Sequence, residues 1–587
     1  MPADDAAPTT VEDDSPVDTD DSEVDTDDSP DDTDDDTDGD TADADDPGVV
    51  ESEMLEWSPC EDSIPAIASE CATLPVPLDH AAPDGEQIDI AVARIVSTDR
   101  DQRIGSLVFN PGGPGGSGVD FIVQIASIMP SEVSSRFDLV SFDPRGVGDS
   151  TAIECDVDLD DDIALLQEGD DAAWQELVDE ALTSTDECTD ASNALAPYVG
   201  TNNAARDLDM LREALGDEGL SYVGYSYGTR LGATYAELFR DKVRALVLDA
   251  AVLPTDDLYQ LSLGQADGFD LALENFAAAC DADVDCLLHD IGPTLDVLAG
   301  LRAEIAEVGS FPTDEEGRVL TPGELDLGVV AALYSKDTWP FLAQGLFLAE
   351  AEQDGTLLQV LTDSYAGREF DGTYDNSQVA GGFINCADDP RRPDVAEVRA
   401  SNDAAAARSD YFDTSLRAST GCLGAPDAID PLVIGPATDA PPILVIGNSG
   451  DPATPYEWSV QLADSLDSGV LYTVVAEGHT AFGTIDCVAA PVTAYLVDLD
   501  VPESGATCSD KADADFFVPA ADTDVGLLLS LFDCLRDNGL DVPELDTADI
   551  LRDPSGESFS EFLDPSDPEV IAAIGQCLDI VAQLQGG

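Results

Sequence analysis

The apolar positions of this chain fall into two rhythms. Short, largely apolar runs at residues 107–110, 137–142, 220–224, 244–248, 443–446 and 470–475 have the length of strands. Between them stand stretches of helical period. At 204–215, Leu208, Leu211 and Leu215 share one face, and residues 231–240 form a second such stretch directly after the 220–224 run. Strands separated by helices predict an α/β fold, a mostly parallel sheet with helices on both faces. From residue 256 to 435 the alternation stops and Ala- and Leu-rich helical segments dominate, which predicts a helical lid domain inserted before the late strands. The expected organisation is an acidic tract over 1–50, a first part of the core over 51–255, the lid over 256–435, a second part of the core over 436–508, and a small helical unit over 509–587. Helices are expected there at 527–535 and 570–582. Residues 1–50 hold almost no large apolar group, cannot offset the entropy of ordering, and are expected to be a disordered, solvated tether.

Chemistry enters where the 220–224 run ends. Gly224-Tyr225-Ser226-Tyr227-Gly228 fits G-x-S-x-G, directly after a strand and directly before a helix. So tight a turn demands small flanking residues and pushes the serine into an exposed, strained position, with the positive end of the next helix aimed at it. Ser226 is therefore the expected nucleophile. A serine hydroxyl needs a base to take its proton. The chain offers His80, His289 and His479. A nucleophile–acid–histidine order requires a late histidine, which selects His479 and leaves the other two to packing or surface roles. The run at 443–446 leads into Gly447-Asn448-Ser449-Gly450-Asp451, so Asp451 is the expected acid that orients the imidazole, with Asp249 at the end of the 244–248 run as rival. The oxyanion of a tetrahedral intermediate needs backbone donors. The loop Asn110-Pro111-Gly112-Gly113-Pro114-Gly115-Gly116 follows an early strand, and its prolines cannot donate. The expected oxyanion hole is the N–H of Gly113 with that of Tyr227. The same loop lacks GK[ST] and opens no GxGxxG helix, so phosphate binding is not expected.

The segments NPGGPGGSG, FDPRGVGDS, VGYSYGTRLG, GNSGDPATP and EGHTAFG occur in the order seen in secreted bacterial tripeptidyl aminopeptidases and their proline iminopeptidase relatives. The chain resembles that family over about residues 55–510, cysteine placement included. The resemblance implies an α/β-hydrolase fold, a triad of Ser226, Asp451 and His479, and release of short peptides from free N-termini beneath a helical lid. An esterase or amidase acting on small non-peptide substrates is the alternative, since acylation uses the same groups. An aminopeptidase must pair the substrate ammonium, because burying that charge alone is costly. Asp388 and Asp389 are the expected partners, held by a bridge between Cys386 and Cys422. No metal or cofactor is required. The unit after Cys508 is similar to short Cys-paired helical modules appended to other secreted bacterial proteins.

Charge and cysteines narrow the setting. The formal charge is −101, and removing the 22 acids of residues 1–50 still leaves −79. Such a surface repels nucleic acid and anionic lipid, so neither is expected as a partner. The longest apolar stretches, at 245–248 and 525–531, are far too short to cross a bilayer. Twelve cysteines, in close neighbours and without CxxC, suggest disulfides and a secreted or cell-surface enzyme rather than a zinc site. Connectivity is not fixed by sequence alone. The opening residues MPADDAAPTT have neither the basic nor the apolar region of an export signal, which conflicts with that location; the cysteines are given the greater weight.

Overall fold

Residues Gly105–Asn110, Phe137–Phe142 and Leu220–Tyr225 are buried at every position. Strands covered on both faces read as continuous rather than alternating hydrophobic runs, as the central strands of a parallel sheet do. The computed structural model that places them describes residues 55–510, less 61–67, 156–169, 193, 256, 316, 370–371 and 418, together with 531–532, 534–536, 540 and 542. The expected tether over 1–50 lies outside the described residues, as does most of the expected C-terminal helical unit, including Cys577.

Twelve strands are described: β1 (Ser58–Pro59), β2 (Glu70–Pro77), β3 (Gln87–Ile95), β4 (Gly105–Asn110), β5 (Phe137–Phe142), β6 (Leu220–Tyr225), β7 (Val243–Asp249), β8 (Phe311–Pro312), β9 (Val319–Leu320), β10 (Ile443–Gly450), β11 (Gly469–Glu477) and β12 (Ala506–Ser509). Ten of them form one sheet in the order β1-β2-β3-β5-β4-β6-β7-β10-β11-β12. The first three strands pair antiparallel, and β3 meets β5 antiparallel. Along the rest of this sheet, in the order β5-β4-β6-β7-β10-β11-β12, every pairing is parallel. Alternate residues of β4 face opposite sides, as the pleat requires. Leu107 and Phe109 join the layer that holds Ile122, Ile125, Val492 and Leu496, whereas Val108 joins Leu208, Leu211, Leu231 and Tyr235. Helices thus cover both faces, as the alternating pattern predicts.

Between β7 and β10 the chain runs through helices from Leu258–Ala282 to Asp413–Leu416 and the small hairpin of β8 and β9. Most of this insertion has its own apolar core, with Phe276, Leu301, Leu333, Leu346 and Leu358 fully or almost fully buried. One helix differs. Ser377–Asp388 buries Ala380, Ile384 and Ala387 in the core shared with the sheet. Sequence pattern places it with its helical neighbours, but its apolar face packs on the helices that flank β6.

Five disulfides join pairs of described residues: Cys60–Cys71, Cys155–Cys188, Cys280–Cys286, Cys386–Cys422 and Cys487–Cys508. Each joins sequential neighbours. In the chain-entropy picture such a bridge contributes roughly 2–4 kcal/mol. Alkylation of the native protein without reduction, followed by mass measurement, should leave all ten of these cysteines unmodified. Reduction should lower the melting temperature. Alkylation of several of them in the unreduced protein would contradict the pairing.

Candidate active site

Ser226 sits between β6 and the helix Tyr227–Leu238 with φ 53° and ψ −120°. A non-glycine residue there is strained by roughly 1–3 kcal/mol and persists only when its surroundings hold it. Its N–H donates to the carbonyl of Asp249 at 3.0 Å, and its own carbonyl accepts from the Thr229 N–H at 2.9 Å and the Thr229 hydroxyl at 2.6 Å. The flanking glycines are required by contact. A Cβ on Gly224 would lie 2.3 Å from the Gly228 carbonyl oxygen, and one on Gly228 would lie 2.9 Å from that of Asn110.

The glycine loop after β4 closes on this turn. A Cβ on Gly112 would come within 2.7 Å of the Tyr225 carbonyl oxygen and 2.9 Å of the Ser226 Cβ. Gly113 lines a cavity of about 220 Å³ together with Ser226, Tyr227, Arg230, Thr454 and Trp458. The loop is wedged from the other side by the helix Ser377–Asp388, where Gly381 leaves room for the Pro114 carbonyl. Its far end is fastened by Asp143, which accepts from the Ser117 hydroxyl and the N–H groups of Val119 and Asp149. Burial raises the Asp143 carboxyl to a pKa of about 6, against the opposing pull of those bonds.

Asp451 follows β10 directly, and His479 comes two residues after β11, so both leave the same edge of the parallel sheet as Ser226. The structure brings these two together: His479 Nδ1 lies 2.9 Å from each Asp451 oxygen. Asp451 is buried and also accepts from the N–H groups of Ala453 and Thr454. The Thr454 hydroxyl lies 3.0 Å from Asp451 Oδ2 and 3.3 Å from His479 Nδ1, bridging the pair. The His479 N–H donates to the Tyr334 carbonyl, and the Tyr334 ring stands edge-on to the imidazole at 5.3 Å. Burial disfavours the imidazolium, but the Asp451 charge and hydrogen bond outweigh it, so the His479 pKa is raised above 6.5. The rival acid Asp249 has another task. It is fully buried and its Oδ2 accepts from the N–H groups of Ala481 and Phe482, so it grips the backbone of the histidine loop rather than the ring. Burial lifts its pKa to about 6.

The other sequence candidates lie apart from this cluster. His80 bonds Asp207, which forms a buried bidentate pair with Arg145. His289 is on the surface near the Asp281 carbonyl. The expectation that Asp388 meets a substrate amine is corrected by its packing. Its oxygens accept from the N–H and hydroxyl of Thr201, Arg230 stands 3.7 Å away, and it does not line the Ser226 cavity. Asp389 points elsewhere. It pairs with Arg391 and lines a second cavity of about 150 Å³, which shares Leu258, Ser262, Ser419 and Gly421 with the first. Sequence reasoning missed Thr454 and Tyr334. The Asp-Pro-Ala-Thr run is the kind of segment in which an aspartate binds its own following backbone, a signal that could have found Thr454.

A family model described as the alpha/beta hydrolase fold matches residues 105–291, and one described as TAP-like protein matches residues 410–508. Serine protease Hip1 of Mycobacterium tuberculosis is 37% identical over 476 residues, covering 77% of this chain and 91% of the relative. This chain belongs to the TAP-like α/β-hydrolase family. Carboxylesterase B of Mycobacterium tuberculosis is 33% identical over 482 residues, covering 78% of this chain and 91% of the relative. Tripeptidyl aminopeptidase of Streptomyces lividans is 31% identical over 484 residues, covering 78% and 87%. The TAP-like enzyme described here is a serine hydrolase. The family carries its nucleophile on a strand-to-helix turn of the kind found at Ser226.

Three histidines make this TAP-like protein suited to NMR titration. His479 should titrate above 6.5. Asp451→Asn removes the charge that favours the imidazolium and leaves burial, which opposes it, so the pKa should fall below the wild-type value. An unchanged His479 titration in the folded variant would contradict the electrostatic coupling.

Proposed function

We propose that this enzyme is an exopeptidase that releases short peptides from free N-termini through an acyl-enzyme, with Ser226 as nucleophile, His479 as base and Asp451 as the acid that orients it. The observation that carries the acyl-enzyme part of this reading is the Asp451–His479 pair at 2.9 Å, set at the same sheet edge as a strained Ser226 in a cavity with Gly113 and Tyr227. Ser226 Oγ attacks the scissile carbonyl carbon while its proton passes to His479 Nε2. The oxyanion accepts from the N–H groups of Gly113 and Tyr227; the first amides of a helix lack intrahelical partners and are free for this. Collapse breaks the C–N bond, and the leaving amine takes the proton from His479. Water, deprotonated by the same imidazole, then cleaves the ester. Asp451 holds the ring tautomer and offsets the imidazolium charge. Asp451→Asn should lower kcat roughly 10³–10⁴-fold. The acid limb of the pH profile should follow His479, rising with pH as the imidazole loses its proton.

The names of two relatives, serine protease and tripeptidyl aminopeptidase, support a peptide substrate. Asp389 remains the candidate for the substrate ammonium. It lines the second cavity beside Arg391, which also pairs with Asp257. The disulfides support an oxidising, extracellular location. A second reading, an esterase on small substrates, is favoured by the relative named Carboxylesterase B. A profile of matched peptide amides with free and acetylated N-termini separates the two. The exopeptidase should cleave the free-amine series with at least tenfold higher kcat/KM. Turnover of simple esters with neither peptide series cleaved would favour the esterase.

A further inference from the structure

Arg230 lies one helical turn beyond Ser226 and lines the same cavity, although only 2% of it is exposed. Four residues along a helix amount to about 6 Å of rise on the same face, so its side chain serves the space within one or two substrate residues of the scissile bond. A buried guanidinium normally commits its donors. Here every contact is long. Nη1 lies 3.4 Å from Asn385 Oδ1 and 3.7 Å from Asp388 Oδ2, and Nη2 lies 3.5 Å from the Thr255 carbonyl. Nε has no acceptor among the described residues. A planar fork beside the nucleophile, with weak bonds to the protein, has donor capacity to give a bound molecule.

We propose that Arg230 is a specificity residue that donates to a main-chain carbonyl of an extended peptide substrate, beyond the scissile carbonyl itself. The neighbouring charges decide against a carboxylate as its ligand. Asp388 is fully buried and already supplies the counter-charge. The chain as a whole carries −101, so an acidic group would enter against repulsion. A neutral carbonyl accepts the bond without adding charge. The wall shared by the two cavities then lets one strand of substrate run from Ser226 past Arg230 toward Asp389. Asp388 is thereby a positioning residue. Held by Thr201, whose hydroxyl also meets the Tyr227 hydroxyl at 2.7 Å, it fixes the guanidinium from behind.

The inference rests on the exopeptidase reading and is tested with a free-amine tripeptide p-nitroanilide against p-nitrophenyl acetate, which has no upstream carbonyl. Arg230→Met alone strands the Asp388 charge, so Arg230→Met/Asp388→Asn is measured beside it, with Arg230→Lys as the conservative variant. The ratio of kcat/KM for peptide to that for ester should fall at least 30-fold in the double variant, chiefly through KM, with partial recovery in Arg230→Lys. Equal loss on both substrates, or no change in the ratio, overturns the proposal. A loss confined to tripeptides with Glu rather than Gln beside the scissile bond also overturns it, in favour of a carboxylate ligand. Wild-type enzyme that hydrolyses the ester and no peptide rejects the exopeptidase reading itself, before any variant is compared.

Discussion

Three backbone segments meet at Ser226 at distances that no side chain could share. The end of β4 with its glycine loop and the turn between β6 and its helix lie so close that Gly112, Gly224 and Gly228 could not carry a Cβ without meeting main-chain atoms, and the end of β7 joins them through the Asp249 carbonyl that accepts from the Ser226 N–H. That contact holds a serine at φ 53°, a conformation it would not keep in isolation. Asp249 extends the constraint. Its carbonyl receives the Ser226 N–H, and its carboxylate receives two N–H groups of the histidine loop. One residue at the end of β7 thus ties the nucleophile turn to the segment that bears His479. The relative placement of Ser226, Asp451 and His479 follows from strand order and backbone hydrogen bonds, with side chains completing it.

Much of this was legible in the sequence because strand ends announce themselves. Ser226, Asp451 and His479 each follow an apolar run that stops at glycine or aspartate, and the scarcity of histidine left few choices for the base. Asp249 and Asp451 could not be separated that way, since both stand at strand ends. Only the fold shows that Asp249 faces amides and Asp451 faces an imidazole. Asp388 and Asp389 were less legible still. Adjacent residues at a helix end point in different directions, one into the core and one toward a cavity. Asp388 finds Thr201 across 187 residues of chain, a pairing that no local pattern encodes. The helix Ser377–Asp388 was read with the insertion for the same reason, because its partners lie in the core.

The two cavities differ in the charged residues that line them. Around Ser226 the one guanidinium is balanced by a buried carboxylate, which suits neutral amide groups. In the adjoining cavity Asp389 stands beside Arg391, which also pairs with Asp257. On the exopeptidase reading, a peptide with a free amine at one end would reach both cavities, whereas a small ester would fill only the first. The insertion between β7 and β10 supplies the second cavity.

All of this depends on Ser226 being the activated nucleophile. The most direct measurement is labelling of the folded enzyme with a fluorophosphonate, followed by peptide mapping. The account predicts a single adduct, located on Ser226, that is absent in Ser226→Ala and forms far more slowly in His479→Ala. An adduct on another residue, or undiminished labelling and turnover in a folded Ser226→Ala protein, would contradict it.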